Sequence, residues 1–293
     1  MIKKSKVAFE KRASKLAYFI VLPIFLYHFL LVIVPSFNTV YGSFTEWSGI
    51  GKKHFIGVQN FVRLFHDVEF YQALLNNLKW MMVFLTIPII LGFVIGYFLS
   101  KIKKGQIIYR TIYFLPYVIS AAIAGKIFAT FYNPYFGINV IFERLNLDFI
   151  ARDWLAPKNA LLSVALVDNW HWWGFVLVIF MSGLQQIDPA LYEVADVEGA
   201  NTLEKMRYVT IPCIKNTIIF IITSTMVWSI GTFEYVWVMT KGGAGSELLS
   251  TMLYKNSLFK YQAGYASAIA VVQAILSFAI LGIFAIIRRR GED

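Results

Sequence analysis

Residues 184–212 read LQQIDPALYEVADVEGANTLEKMRYVTIP, and the fold of the whole chain turns on how this stretch is read. It is the longest polar interval rich in helix formers in an otherwise apolar sequence. Two short helices are expected in it. Asp188 suits an N-cap and Pro189 the first helical position. The first helix runs through Leu191, Val194, Ala195 and Val197. Gly199 can end it with positive φ because it carries no Cβ. Asn201 can cap the second helix, with Glu204 three residues on completing a capping box. Pro212 is expected to stop that helix before the next apolar run. The plain alternative is an amphipathic surface hairpin with no partner.

The rest of the chain is of a different character. Its 293 residues are 58% apolar, 17% aromatic and 15% charged, where a soluble domain carries about 25% charged residues. This composition belongs to an integral membrane protein. The net charge of +10 raises a nucleic-acid partner, but the basic residues sit in short loops beside apolar spans, which is a topology signal. No nucleic acid is expected, and the lipid bilayer is the surrounding solvent. Cys213 is the only cysteine, which excludes an internal disulfide and any multi-cysteine metal site. It reads as a small residue at a helix start. No metal site and no cofactor are expected.

Six apolar spans are expected, at about 16–40, 73–100, 109–132, 159–184, 215–239 and 264–287. They make an all-α polytopic membrane protein with a cytoplasmic tail at 1–15, a six-span domain at 16–290 and the polar loop 184–212 within it. The first apolar run is too long for a signal-peptide core and lacks a small-residue cleavage site, so it is read as a retained span. Gly92 and Gly96 form a small-xxx-small pair that lets helices approach closely. Pro116 should bend or loosen the third span. Lys79 and Lys126 lie within spans near their outer ends, where a lysine can snorkel. Of the 27 Lys and Arg, 16 fall in segments assigned to the cytoplasm and 9 in outer segments. That asymmetry puts both termini, and the loop 184–212, in the cytoplasm.

The spacing in the loop closely resembles the loop that defines the membrane subunits of ATP-binding-cassette importers. That pattern is Glu-Ala-Ala, three residues, Gly, nine residues, then Ile-x-Leu-Pro. Here Glu193-Val194-Ala195 is followed by three residues and Gly199, and nine more lead to Val209-Thr210-Ile211-Pro212. The departures are apolar for apolar. Glu198-Gly199-Ala200-Asn201 stands where the sugar-importer branch usually has Asp-Gly-Ala-Asn. Further words resemble the same branch: Ser43-Phe44-Thr45-Glu46-Trp47, residues 55–61 (FIGVQNF), Arg110–Tyr117 (RTIYFLPY), Asn133–Asn139 (NPYFGIN) and Asp153-Trp154-Leu155.

The resemblance covers roughly residues 16–290. It implies the six-helix type I importer permease fold and a plasma-membrane location. It also implies a second homologous permease, two ATPase subunits and an extracytoplasmic solute-binding protein that delivers a sugar or oligosaccharide. In that scheme Glu193, Ala195, Asp196, Glu198, Gly199, Ala200 and Pro212 form the ATPase-coupling loop. Thr240, Gly242, Gly243 and Ser246 are candidates for docking the binding protein. A permease for another solute is the alternative within the superfamily.

The chain carries no G-x-x-x-x-G-K-[ST] phosphate loop, so it is not expected to hydrolyse ATP itself. Polar groups within spans are costly in lipid and tend to face a cavity or a partner. Asp168, Asn169, Trp172, Trp173, Trp228, Glu234 and Tyr235 are therefore the substrate-path candidates. Ring faces suit sugar C–H surfaces, while carboxylates and amides suit hydroxyls. Helical spacing puts Asn169, Trp172 and Trp173 on one face and His171 elsewhere. The plain alternative is helix–helix glue. Two rivals use the same residues. A proton-coupled carrier would relay protons through Asp168, His171 and Glu234, and an intramembrane enzyme would pair His171 with Asp168.

Overall fold

The computed structural model describes residues 19, 21–102 and 104–289, with side chains through residue 286. The basic tail 1–15, the expected start of the first span, Lys103 and the Arg288, Arg289 and Arg290 side chains lie outside the described residues. In chain order the elements are α1 (Val21–Ser43), β1 (Thr45–Glu46), β2 (His54–Phe55), α2 (Gln59–Phe65), α3 (Val68–Ser100), α4 (Gln106–Val118) and α5 (Ala121–Phe131). Then come α6 (Ile138–Arg144), α7 (Ala160–Leu184), α8 (Pro189–Val197), α9 (Thr202–Cys213), α10 (Lys215–Gly231), α11 (Glu234–Thr240), α12 (Leu249–Tyr254) and α13 (Ala263–Arg289).

Among the described residues, four helices are long and apolar enough to cross a membrane unbroken: α1, α3, α7 and the Ala263–Ile286 part of α13. The fourth and sixth spans lie within a few residues of expectation. The second begins earlier, at Val68, because Asp67 caps it by accepting the Glu69 N–H at 2.8 Å. The chain divides into two compact units, residues up to Phe65 with Asn256–Val271, and His66–Lys255 with residues from Val272 on.

In the first unit, the segment that follows α1 is a built element. Thr45 pairs with Phe55 and Glu46 with His54 in an antiparallel ribbon. The Asn60 amide donates to the carbonyls of Ser43 and Thr45 at 3.0 and 2.9 Å. The Gly264 N–H donates to the Trp47 carbonyl at 3.0 Å. A Cβ on Gly264 would lie 2.0 Å from the Thr45 carbonyl oxygen, so only glycine allows that approach. Arg63 donates to Gln262 at 2.9 Å and lies 4.1 Å over the Tyr265 ring.

In the second unit, the core forms where α3 and α7 cross. Trp80, Phe84, Tyr97, Val176 and Phe180 are buried there. Gly92 and Gly96 face α7 as their spacing predicts. A Cβ on Gly92 would come 2.7 Å from Val176, and one on Gly96 would come 3.5 Å from Phe180. Asn77 ties three elements together: it donates to the Ser229 carbonyl at 3.1 Å and accepts the Leu249 N–H at 2.9 Å.

Two expected spans are not straight rods. The third breaks between α4 and α5 with an 88° bend. Pro116 stays inside the last turn of α4, and the break falls at Ile119–Ser120, both in extended backbone. Proline removes the N–H that would hold its own turn, so the helix weakens there and ends one turn later. The fifth span is interrupted at Thr232–Phe233, between α10 and α11. The halves beyond these breaks pack together, with a Cβ on Gly125 of α5 reaching 3.1 Å from Val238 of α11. Pro212 does not stop α9. The helix passes through a π turn at Met206–Thr210, continues past Pro212, and bends by 71° into α10 at the buried Ile214.

Candidate functional site

The breaks in the third and fifth spans meet the middle of α7, and the polar residues of the spans gather there. The His171 ring lies 5.2 Å from Tyr117, just before the first break, and 5.7 Å from Tyr235, just after the second. Asp168 is fully buried and Asn169 nearly so. Both Asp168 carboxylate oxygens lack a hydrogen-bond partner of good geometry, with the Trp228 side chain beside them. The Asn169 Oδ1, His171 Nδ1 and Tyr235 hydroxyl are likewise buried and unpartnered, while the Asn169 amide donates to Ala165 at 2.9 Å. Orphan polar atoms in an apolar core are costly, and in a membrane they concentrate where a span does more than span.

A cavity of about 720 Å³ opens beside this cluster. Trp172, Trp228, Thr223, Ser224, Thr232 and Glu234 line it, with Phe220 and Leu281 as apolar walls. Trp172 is buried and donates to the Thr225 hydroxyl at 3.4 Å. It stacks on Trp228, with ring centroids 4.7 Å apart at 21°. Trp228 is 40% exposed, so its outer face is free. Glu234 is also exposed, in the first turn of α11. A second cavity of about 330 Å³ shares Phe220, Thr223 and Leu281 with the first and extends it to Asn216. One face of α10, at Asn216, Phe220, Thr223, Val227 and Gly231, thus follows a groove from the helix start to the break.

The structure sorts the candidates. Trp172, Trp228 and Glu234 share the cavity. Asp168, Asn169 and Tyr235 lie behind its wall. Trp173 does not share the Trp172 face: its ring packs against Tyr113 of α4 at 6.4 Å. His171, expected to point away, sits among the same buried polar groups. Thr223, Ser224 and Thr232 were missed by sequence reasoning. Their signal was the small and polar stripe along α10 at helical spacing.

The polar loop is a braced hairpin. Asp188 caps α8 by accepting the Ala190 N–H at 2.9 Å. Gly199 sits at φ +76°, and the Gly199 and Ala200 N–H groups donate back to Asp196 and Ala195 at 3.1 and 2.9 Å. That is a Schellman ending. Asn201 and Glu204 form the capping box, with contacts of 2.7, 2.9 and 3.0 Å. Asp196 is ion-paired with Lys205, and the Tyr192 and Thr210 hydroxyls bond at 2.9 Å. Tyr192, Met206 and Val209 pack on the core, while Leu191, Val194, Val197, Leu203 and Tyr208 are exposed. Glu193, Glu198 and Pro212 are exposed as well, and Ala195 and Ala200 are half-buried.

The turn after α11 is tightly self-bonded. The Thr240 and Ser246 hydroxyls bond at 2.7 Å, and Ser246 also donates to the Gly243 carbonyl at 2.6 Å. Ser246 and Gly242 are buried and Gly243 is exposed. Asn76 donates to the Gly245 and Glu247 carbonyls at 2.9 Å, and Lys255 is ion-paired with Glu247. The hydroxyls of Thr240 and Ser246 therefore shape the turn.

Helices broken at mid-span around a cavity, with a capped hairpin leading into one of them, define a membrane permease. Residues 80–292 match the family described as binding-protein-dependent transport system inner membrane component, and the chain belongs to it. It is 35% identical over 258 residues to a probable ABC transporter permease, YurN of Bacillus subtilis, covering 86% of this chain and 88% of that protein. It is 27% identical over 264 residues to the arabinooligosaccharides transport system permease AraP of the same organism, covering 87% and 80%. In fold it resembles a chain of a bacterial alginate ABC transporter in complex with an alginate pentasaccharide-bound periplasmic protein. The TM-score is 0.84 at 22% identity, over 96% of both chains. The protein is thus a multi-pass permease subunit of an ATP-binding-cassette importer with the type I fold. Family membership sets aside the proton-coupled carrier and the intramembrane enzyme.

Proposed function

We propose that this chain lines the path of a neutral sugar or oligosaccharide through the membrane. It works beside a second homologous permease, receives its solute from an extracytoplasmic binding protein, and is driven by two separate ATPase subunits. The cavity at the α10–α11 break carries this reading. A free indole face suits the C–H surface of a sugar ring, and Thr223, Ser224, Thr232 and Glu234 supply hydroxyl partners. Glu234 faces the open cavity as a carboxylate, so a uronate or phosphate would meet like charge there. The name of a relative that moves arabinooligosaccharides supports a carbohydrate. The carboxylate argues for the uncharged kind.

Energy coupling belongs to the α8–α9 hairpin. Its exposed apolar residues Leu191, Val194, Val197, Leu203 and Tyr208 on a polar loop suit a partner surface, and its caps and ion pair brace the hairpin that carries them. Glu193 and Glu198 are exposed on the same hairpin. Both termini lie with it in the cytoplasm, and the self-bonded turn at 240–246 lies on the outer side as a docking face for the binding protein. Motion of the ATPase pair would be carried through α9 into α10, and so to the cavity wall.

Uptake and ATPase activity of the reconstituted complex test this, with neutral arabino- and malto-oligosaccharides set against uronate oligosaccharides. Trp228→Ala is expected to raise the half-saturating concentration of the neutral substrate about fivefold, from a stacking contribution of roughly 1 kcal/mol. Glu234→Gln should narrow the preference for neutral over uronate. Gly199→Asp should uncouple ATPase activity from uptake. Unchanged uptake in all three variants would sink the reading.

A further inference from the structure

Away from the transport cavity, a pocket of about 280 Å³ lies between α3 and the segment leading into α7. Lys79 and Lys158 both line it, and both are exposed. Trp80 lines it too as a fully buried apolar wall. No carboxylate is among the lining residues. The nearby Glu247 is taken by Lys255, and among the described residues neither lysine is paired with an acid. Val83 and Leu161 form its apolar floor, with Leu162 at the exposed edge. The outward surface beside it carries Leu78, Met82, Leu162 and Leu166, all exposed and apolar.

We infer that this pocket binds the phosphate headgroup of an anionic phospholipid from the outer leaflet. Lys79 and Lys158 bring two ammonium donors to a pocket whose lining carries no carboxylate, which selects an anion. The apolar floor opens onto the exposed apolar flank of α3 and α7, which selects an anion that carries acyl chains. The depth is right as well. Lys79 stands 21 residues before Ser100, the far end of α3, roughly 32 Å along the axis at about 1.5 Å per residue. A hydrocarbon core is about 30 Å thick. Lys79 therefore sits at headgroup level when Ser100 sits at the opposite interface. The bound lipid would hold α3 against the start of α7, beside the Gly245 carbonyl that Asn76 also grips.

The test is lipid retention on the assembled complex, measured by native mass spectrometry and independent of transport. The probes are dioleoyl-phosphatidylglycerol, dioleoyl-phosphatidylcholine and inorganic phosphate. Wild-type complex is expected to retain phosphatidylglycerol in preference to phosphatidylcholine, and millimolar inorganic phosphate should not displace it. Lys79→Gln with Lys158→Gln should lower retention about thirtyfold, in line with the roughly 1 kcal/mol that each lysine contributes at an anionic surface. Lys79→Arg with Lys158→Arg should keep it, which separates lost charge from lost fold. Equal retention in the Gln variant would overturn the site, and so would equal retention of the two lipids. Displacement by inorganic phosphate would overturn the lipid and leave a site for a free anion.

Discussion

Gly174 fixes a helix crossing that no side chain on the same helix could fix. An added Cβ would lie 2.4 Å from the Tyr113 carbonyl oxygen and 2.9 Å from the Phe114 Cα. Both are backbone atoms, so relief would require moving α4 and, with it, the break that follows. Gly96 looks equivalent in sequence, yet its nearest neighbour would be the Phe180 side chain at 3.5 Å, an ordinary contact. Gly174→Ala is therefore expected to destabilise the folded permease by about 1–3 kcal/mol, the usual range for overpacking. Gly96→Ala should fall below that range. The thermal midpoints of the two purified variants decide it, and equal midpoints would refute the distinction. The same reasoning separates Asp168 from Glu234. Both are carboxylates in spans, but one is buried behind the cavity wall and the other faces the cavity.

At the scale of the element, the α8–α9 hairpin is held by local devices. Asn201→Ala removes the side chain that accepts the Leu203 and Glu204 N–H groups, a loss of about 1 kcal/mol. Amide exchange across Thr202–Lys205 should then speed about fivefold, with α7 exchange unchanged. Equal exchange in the variant would mean that packing of Met206 and Val209, and not the cap, holds the helix start. These devices were legible in the sequence because capping boxes, Pro at a first helical position and a Schellman glycine are short-range chemistry. The straight spans were legible too, since a long apolar run in lipid has few alternatives to helix. The breaks were not. Pro116 announced a weak turn but could not say that the chain would leave the helix at Ile119 and turn by 88°, because that angle depends on α5 finding Val238 on α11. Pro212 announced a stop, and none came until the buried Ile214 set the bend. Trp172 and Trp173 were placed on one face by the helical period. Their partners, Trp228 and Tyr113, come from distant parts of the chain.

At the scale of the whole molecule, the orientation across the membrane is the property that every role above depends on. In the proposed assembly the hairpin would meet an ATPase only from the cytoplasm, and the 240–246 turn would meet a binding protein only from outside. The chain carries its own probe of this. Cys213 is the only cysteine in the sequence, it is exposed, and it stands at the end of α9, next to the bend into α10. No engineered thiol is needed. A membrane-impermeant maleimide should label Cys213 in inside-out vesicles and leave it unlabelled in intact cells, with Cys213→Ser giving no signal in either. The physical ground is the distribution of charge: a span end flanked by Lys205, Arg207 and Lys215 belongs on the side where cytoplasmic loops gather lysine and arginine. Labelling in intact cells would invert the chain. It would put the hairpin out of reach of ATP and require another segment to carry the coupling. Labelling confined to inside-out vesicles would put the exposed face of Leu191, Val194 and Val197 where an ATPase can reach it, and the groove along α10 would then lead from mid-membrane to the cytoplasm.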